Sequence, residues 1–152
     1  MSAVWTPPQR ISVKVLGLAR RGERLLVAEV IGSDGAVKGV RPLGGSIDFG
    51  ETREEALHRE FREELGCAIA IRGPWHALEN LFAHEGATGH EIVFVAAVDL
   101  LDEALHAEGR FSFTESTGEA CHAGWYSLPD LAARGWALYP VGLAEILRAE
   151  LT

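Results

Sequence analysis

The sequence predicts a single α/β domain over residues 1–152, with a mixed β-sheet lying between helices. Strand-like segments lie before and after one well-delimited helix, and an amphipathic helix ends the chain. A chain of 152 residues has the size of one domain with a hydrophobic core. No linker, internal repeat or low-complexity tract divides it. Its content of 47% apolar and 24% charged residues is typical of a globular protein.

Strands are predicted where β-branched and aliphatic residues cluster between turn residues. In chain order they are Ile11–Leu18, Leu25–Ile31, Cys67–Ile71, Ala77–Ala83, Glu91–Leu100 and Gly124–Leu128. Three intervening stretches predict loops. Residues 32–45 are rich in glycine and leave room for only a short extended piece. Residues 84–90 contain two glycines and predict a hairpin-type loop, while the polar residues 104–123 predict a mobile loop with at most a short helix.

Thr52 marks the start of the clearest helix. Its hydroxyl can cap the first turn while Glu55 reaches back, which is the capping-box pattern. The helix is predicted to continue to about Leu65, because Gly66 is a natural stop. Two further helices are predicted near the C-terminus, at Pro129–Ala133 and Val141–Leu151.

Composition limits the partners that the protein can have. The formal net charge of −8 argues against broad nucleic-acid binding, which needs a basic surface. No apolar run approaches the roughly 20 residues that a membrane span requires. Residues 1–10 contain two prolines and no apolar stretch, so they do not resemble a signal peptide. Cys67 and Cys121 match no metal-binding spacing and are expected to be reduced thiols of a cytoplasmic protein.

The helix after Thr52 carries an unusual arrangement of charge. At ~100° per residue its core-facing stripe spans roughly 80°. That stripe consists of Leu57, Phe61 and Leu65. Relative to Leu57, Glu64 lies at about −20°, Glu60 at about −60° and Glu63 at about −120°. Two carboxylates therefore border the buried stripe and a third lies beside them.

Partly buried carboxylates three and four residues apart repel one another and need a partner. Arg53 and Arg59 lie nearby, but hard oxygen ligands that converge from one helix face suit Mg²⁺ or Mn²⁺. A glutamate-rich helix can also be a plain solvated face. From the helix alone both interpretations stand, although Glu64 lies on the wrong side for a solvated face.

The flanking residues add a longer pattern. Gly45, five residues later Glu51, and after seven more residues the segment 59–67 (REFREELGC) closely resemble the box of the MutT-like Nudix hydrolases. That pattern fixes nine positions over 23 residues, and all seven that are not aliphatic match here. Phe61 and Cys67 stand where the family usually has aliphatic residues. Arg41–Gly45 and Trp125–Leu131 also resemble family segments, before the box and before the last helix.

The resemblance implies a Nudix fold, an α/β/α sandwich around a mixed sheet, and Mg²⁺-dependent hydrolysis of a nucleoside diphosphate linked to another group. Glu60 and Glu64 would be the principal Mg²⁺ ligands, and the carbonyl of Gly45 would complete the site. Glu63 would be a further ligand or would orient the attacking water. Arg59 and Glu51 would pair to hold the loop against the helix. The expected partner is a small-molecule nucleotide, and a homodimer is common in the family.

Four residues outside the box are candidates for the site. The resemblance places a general base or extra ligand in a loop before the last strand, where Glu119 is preferred over Glu115. Arg41 can meet a substrate phosphate through its planar guanidinium, or can form a surface salt bridge. Glu91 begins a predicted strand beside the 84–90 loop and is a candidate to line the pocket.

Two alternative functions remain beside hydrolysis. A Nudix domain that senses a nucleotide without cutting it would have lost carboxylates of the box, and none is lost. An allylic diphosphate isomerase on the same fold would have a catalytic cysteine and a metal-binding histidine cluster, and neither is evident. The sequence leaves open the nucleotide, the identity of the general base, the number of metal ions and the oligomeric state, and it gives Trp5 no role.

Overall fold

An eight-stranded β-sheet forms the centre of the computed structural model, which describes residues 5–107, 109–115 and 118–150. The strands are β1 Ile11–Arg21, β2 Arg24–Ile31, β3 Val37–Ser46, β4 Ile69–His84, β5 Ala87–Leu100, β6 Phe111–Thr114, β7 Ala120–Tyr126 and β8 Ala137–Leu138. The helices are α1 Arg53–Leu65, α2 Ala104–Ala107, α3 Leu128–Arg134 and α4 Leu143–Glu150. Within the described ranges, no helix has the length and apolarity to cross a membrane.

The sheet is mixed, as the sequence predicts. Its strand order is β4-β5-β1-β3-β2-β7-β6, and β8 pairs with β3 outside this path. The β1–β5 and β3–β8 pairs are parallel, whereas the other pairs are antiparallel. This order places β3, which leads into α1, near the middle of the sheet.

Helices cover both faces of the sheet. On one face Leu57 and Phe61 of α1 are fully buried in a cluster with Val15, Leu26 and Leu43. A second cluster, on the other face, contains residues of the sheet and of helices α3 and α4. Its helical members are Leu131, Leu143 and Leu147. The predicted α/β/α sandwich is confirmed.

The helix α1 has the ends that the sequence predicts. The Thr52 hydroxyl accepts from the Glu55 backbone N–H, and Glu55 accepts from the Thr52 backbone N–H. Gly66 ends the helix in the left-handed conformation, with φ 62°. Phe61 is accommodated because Gly17 on β1 has no side chain. A Cβ there would lie 2.7 Å from the Phe61 ring, so the glycine lets α1 approach the sheet closely.

The prediction of a loop over residues 32–45 is wrong from Val37 onwards, where the ten-residue strand β3 begins; it continues to Ser46. Its glycines serve close packing and not loop flexibility. A Cβ on Gly39 would lie 2.5 Å from the Ala137 carbonyl oxygen, and one on Gly44 would overlap the Val15 carbonyl. Pro42 stands opposite Val27 of β2 within the sheet. Composition alone could not distinguish these glycines from those of a loop.

Two other predictions need correction. The strands predicted at Cys67–Ile71 and Ala77–Ala83 are joined in one strand, β4, which begins only at Ile69 and whose register shifts between Arg72 and His76. The stretch 104–123 is largely ordered as α2 and the β6–β7 hairpin; positions 108, 116 and 117 of that predicted loop lie outside the described residues. The hairpin-type loop at 84–90 is correct in kind but reduces to the turn between β4 and β5.

The predictions at the chain ends have mixed outcomes. The predicted final helix begins at Leu143, two residues later than expected. Its last predicted residue, Leu151, lies outside the described residues. The first four residues of the segment 1–10 also lie outside them. Trp5, which the sequence left without a role, packs on the β4–β5 hairpin. Its ring stacks on Phe82 at 6.5 Å between centroids and lies 5.6 Å from the ring of the buried His84.

Candidate active site

The carboxylates of α1 are arranged as the helical wheel predicts. Glu60 and Glu64 are buried, with only 5% and 9% of their surface exposed, whereas Glu63 is largely exposed. They lie on the edge of α1 that faces the end of β3. Burial removes these two carboxyl groups from water. Their charged form therefore needs a compensating partner.

Gly45 at the end of β3 provides the space that Glu60 occupies. A Cβ built on Gly45 would lie 2.6 Å from each Glu60 carboxylate oxygen, closer than any side chain tolerates. The absence of a side chain therefore brings this carboxylate against the strand backbone. Burial raises the pKa of Glu60, and the Arg59 guanidinium opposes that shift.

Arg59 ties the loop between β3 and α1 to the helix. Its guanidinium donates to Glu51 through Nε and Nη2 at 2.6 and 2.9 Å, and to the Ser46 carbonyl at 3.0 Å. It also reaches Glu60 at 3.0 Å and Glu63 at 3.3 Å. The Arg59 contact, helped by the Asp48 backbone N–H, lowers the pKa of Glu51 to about 2. The pairing implied by the resemblance is present, and it extends to two of the box carboxylates.

Glu64 is the least compensated carboxylate of the site. Its Oε1 is buried and has no hydrogen-bond partner among the described residues. Burial raises its pKa to about 8, with Glu60 and Glu115 adding to the shift, while Arg41 and the Gly44 backbone N–H oppose it. Such a group requires either a proton or a cation close by.

Arg41 and Glu115 form an ion pair beside these carboxylates. Arg41 Nη2 donates to Glu115 Oε1 at 2.6 Å, and both side chains are half-buried. Glu115 belongs to the β6–β7 turn, where its N–H donates to the Glu119 carbonyl at 2.9 Å. Glu119 itself is exposed. The geometry therefore brings Glu115 to the carboxylates and gives no support to the preference for Glu119.

Lys14 is a site residue that the sequence analysis missed. It donates to the Ser46 hydroxyl at 2.9 Å. Burial lowers its pKa; the charge of Glu91 opposes this, Arg41 adds to it, and Glu60 and Glu115 oppose it. Glu91 is thus linked to the site through Lys14, from its place on β5 opposite Ser12 of β1. The available signal was a lysine between two valines in a predicted strand.

The donors at this edge suit a hard divalent cation. Within residues 5–107, 109–115 and 118–150, no three His, Cys, Asp or Glu side chains converge as they stand on one metal position, because Arg59 draws Glu60 and Glu63 towards itself. The carboxylate oxygens and the Gly45 carbonyl are nevertheless the ligand type of Mg²⁺ and Mn²⁺. A cation here would give Glu64 Oε1 the partner it lacks, in competition with Arg59 for the other two carboxylates.

Comparisons with known proteins show which family and fold this chain is similar to. A sequence model described as the NUDIX domain matches residues 8–144. Nucleoside triphosphatase NudI of Enterobacter sp. (strain 638) is 32% identical over 109 residues, which cover 61% of this chain and 76% of that protein. The fold is similar to a NUDIX hydrolase from Nitrosomonas europaea, with a TM-score of 0.60, 20% identity, and coverage of 93% of this chain and 90% of that one. A MutT NUDIX hydrolase from Burkholderia pseudomallei aligns with a TM-score of 0.52 and 21% identity, over 95% of this chain and 100% of that one.

Proposed function

The chain belongs to the Nudix family and is a pyrophosphohydrolase, and we propose that it is Mg²⁺-dependent and cleaves the P–O–P linkage of a nucleoside diphosphate joined to another group. The observation that carries the proposal is the burial of the Glu64 carboxylate without a full set of partners. A buried carboxylate with an unpartnered oxygen, beside two further carboxylates of the same helix, calls for a multiply charged cation.

We infer that Glu60, Glu64 and the carbonyl of Gly45 hold Mg²⁺, or Mn²⁺ in its place, and that Glu63 is a further ligand or orients the attacking water. The ion, when bound, polarises the phosphoryl oxygens, lowers the pKa of bound water and offsets the charge of the leaving group. With the ion bound, Arg59 would release Glu60 and Glu63 but would keep Glu51, so the loop between β3 and α1 would remain attached to the helix.

The remaining side chains bind and orient the substrate. Arg41 is placed to meet a substrate phosphate with its planar guanidinium, in exchange for Glu115. Glu115, once freed, is the preferred general base, and Glu119 is the less favoured candidate. Lys14 brings a second cation to the same edge, and the charge of Glu91 favours its protonated form. Arg41 and Lys14 thereby present two positive charges to an anionic ligand, in a protein whose net charge is −8.

The substrate is a small-molecule nucleotide. Nucleoside triphosphates are the first compounds to test, because the similar protein from Enterobacter is described as a nucleoside triphosphatase. The net charge of −8 argues against a nucleic acid as the ligand. We expect the enzyme to act in the cytoplasm.

The test is a panel of nucleotides with Mg²⁺, covering triphosphates, dinucleoside polyphosphates, ADP-ribose and sugar nucleotides, scored for the release of phosphate or nucleotide. We expect one class to be hydrolysed, and we expect Glu64→Gln to abolish its turnover while the far-UV circular dichroism is unchanged. Full activity in Glu64→Gln would remove this residue from the mechanism. Tight nucleotide binding without turnover would favour a sensing domain, and turnover of allylic diphosphates an isomerase.

A further inference from the structure

A second cavity lies away from α1, at the end of the sheet where the turn between β1 and β2 meets β7 and the C-terminal end of α3. Its volume is about 520 Å³. Its lining includes four arginines and two aromatic side chains that contact one of them: Arg21, Arg24, Arg110, Arg134, Tyr126 and Trp136. None of its lining residues belongs to the carboxylate cluster of α1, so it is a separate feature of the molecule. Its volume lies in the range of pockets for nucleotide-sized ligands.

The cavity has a strong excess of positive charge. Among the described residues that line it, Glu29 is the one carboxylate against four arginines. The Glu29 side chain is almost completely buried, and Arg110 donates to its two oxygens at 2.7 and 3.0 Å. That pair is neutral as a unit, which leaves Arg21, Arg24 and Arg134 in a protein of net charge −8.

Aromatic rings hold two of these arginines in place. The Arg21 guanidinium carbon lies 5.2 Å from the centroid of the Trp125 ring. Arg134 lies 5.1 Å from Tyr126 and 5.0 Å from Trp136, and these two rings meet edge to face at 5.5 Å. A ring face orients a guanidinium but accepts none of its in-plane N–H bonds in the way that a carboxylate does. The charges are therefore ordered without being neutralised by the rings.

An acidic group close to two of these arginines is already engaged. Asp130 feels the charges of Arg24 and Arg134, but its carboxylate caps α3 by accepting from the Ser127 backbone N–H at 2.9 Å. Asp130 reduces the local excess of positive charge without removing it. Three arginines around one cavity suit the several oxygens of a phosphate or diphosphate group, which planar guanidinium groups bind through paired hydrogen bonds.

We propose that this cavity binds a phosphate or diphosphate group, either as the free inorganic anion or as part of a nucleotide, at a site independent of the α1 carboxylates. The inference does not rest on the proposed hydrolysis. Binding here needs no divalent ion, because the arginines themselves provide the positive charge. Binding of a diphosphate at the α1 carboxylates, in contrast, would be opposed by their charge when no metal ion is present.

The test is calorimetric titration of the metal-free protein, in EDTA, with inorganic phosphate, inorganic pyrophosphate and ADP. We expect one saturable site for at least one probe. Arg24→Gln should weaken binding by about tenfold or more. Arg72→Gln is the matched control. Arg72 is exposed, pairs with Asp99 and lies on β4, at the opposite end of the strand order from β7. This variant should bind the probes as the parent does. Arg41→Gln should also leave the affinity unchanged, which separates this cavity from the α1 site.

Arg134→Gln is expected to weaken binding as well, but it removes ring contacts and can disturb folding. Within the part of the chain that the structure describes, Arg24 packs against no aromatic ring, so Arg24→Gln keeps the test decisive. Tighter binding of ADP than of pyrophosphate would identify a nucleotide as the ligand, and the reverse would identify the free anion. Absence of saturable binding, an unchanged affinity in Arg24→Gln, or a loss in Arg41→Gln would each overturn the proposal.

Discussion

The carboxylate of Glu60 lies against the backbone of Gly45, so closely that a methyl group at position 45 would sit 2.6 Å from both carboxylate oxygens. This contact joins the end of β3 to the middle of α1. It also places the Gly45 carbonyl and the Glu60 carboxylate at the same edge of the site. A glycine at this position therefore has a steric purpose, besides any ligand role of its carbonyl.

Gly45→Ala is predicted to lower kcat/KM by about 100-fold, because the new methyl group displaces the Glu60 carboxylate from its position against the strand. Overpacking should also lower the free energy of unfolding by about 1–3 kcal/mol. Steady-state kinetics and urea unfolding measure the two effects. Gly109→Ala is the control, since a Cβ there meets no atom within 4 Å. Wild-type kinetics in Gly45→Ala would show that Glu60 need not lie against this strand.

The pairing of Arg59 with Glu51 predicts a pH-dependent contribution to stability. The folded-state pKa of Glu51, about 2, is below its ordinary value of 4.5. The pair therefore stabilises the fold fully above pH 4.5, and this stabilisation is lost as the pH falls towards 2. Arg59→Lys keeps the charge but loses the forked contact, and should cost about 1.5–3 kcal/mol at pH 7.

Urea unfolding of the parent and of Arg59→Lys at pH 7 and at pH 2.5 is the measurement. The difference in unfolding free energy should shrink at the lower pH. Arg62→Lys, an exposed arginine on the same helix, should be neutral at both. A difference that is the same at both pH values would contradict the role of Glu51 as the main partner.

The raised pKa of Glu64 predicts the opposite pH dependence of stability for the metal-free protein. Its pKa rises from 4.5 to about 8 on folding, so the folded state binds a proton that the unfolded state releases. Stability is then lost as the pH rises from about 4.5 to about 8. Glu64→Gln removes this penalty and should be more stable than the parent above pH 8 by roughly 2–5 kcal/mol, with no gain below pH 4.5.

Thermal unfolding in EDTA across this pH range tests the expectation, and Mg²⁺ provides a second readout. Mg²⁺ at pH 8 should raise the Tm of the parent more than that of Glu64→Gln, because a ligand stabilises only the form that binds it. Glu145→Gln on the exposed face of α4 is the control. A gain that does not vary with pH would mean that Glu64 is not protonated in the metal-free fold.

The sequence predicted α1 and its three carboxylates because their positions follow from helical periodicity, which is local. The capping residues Thr52 and Gly66 are local signals too, and both are confirmed. β3 was missed because its glycines are required by close contacts with residues distant in the sequence, such as the contact of Gly44 with Val15. The arginine-lined cavity was missed for the same reason, since Arg21 and Arg134 are over a hundred residues apart and meet only in the fold.

The choice between Glu115 and Glu119 shows where periodicity fails, and it yields the last prediction. The two residues stand on one turn, where the Glu115 N–H donates to the Glu119 carbonyl, and in the fold it is the Glu115 carboxylate that pairs with Arg41. Glu115→Gln should lower kcat by about 100-fold or more if this carboxylate is the general base. Glu119→Gln, the matched control on the same turn, should keep kcat. A role limited to pairing with Arg41 would instead raise KM and leave kcat unchanged. Loss of kcat in Glu119→Gln alone would restore the assignment that the sequence preferred.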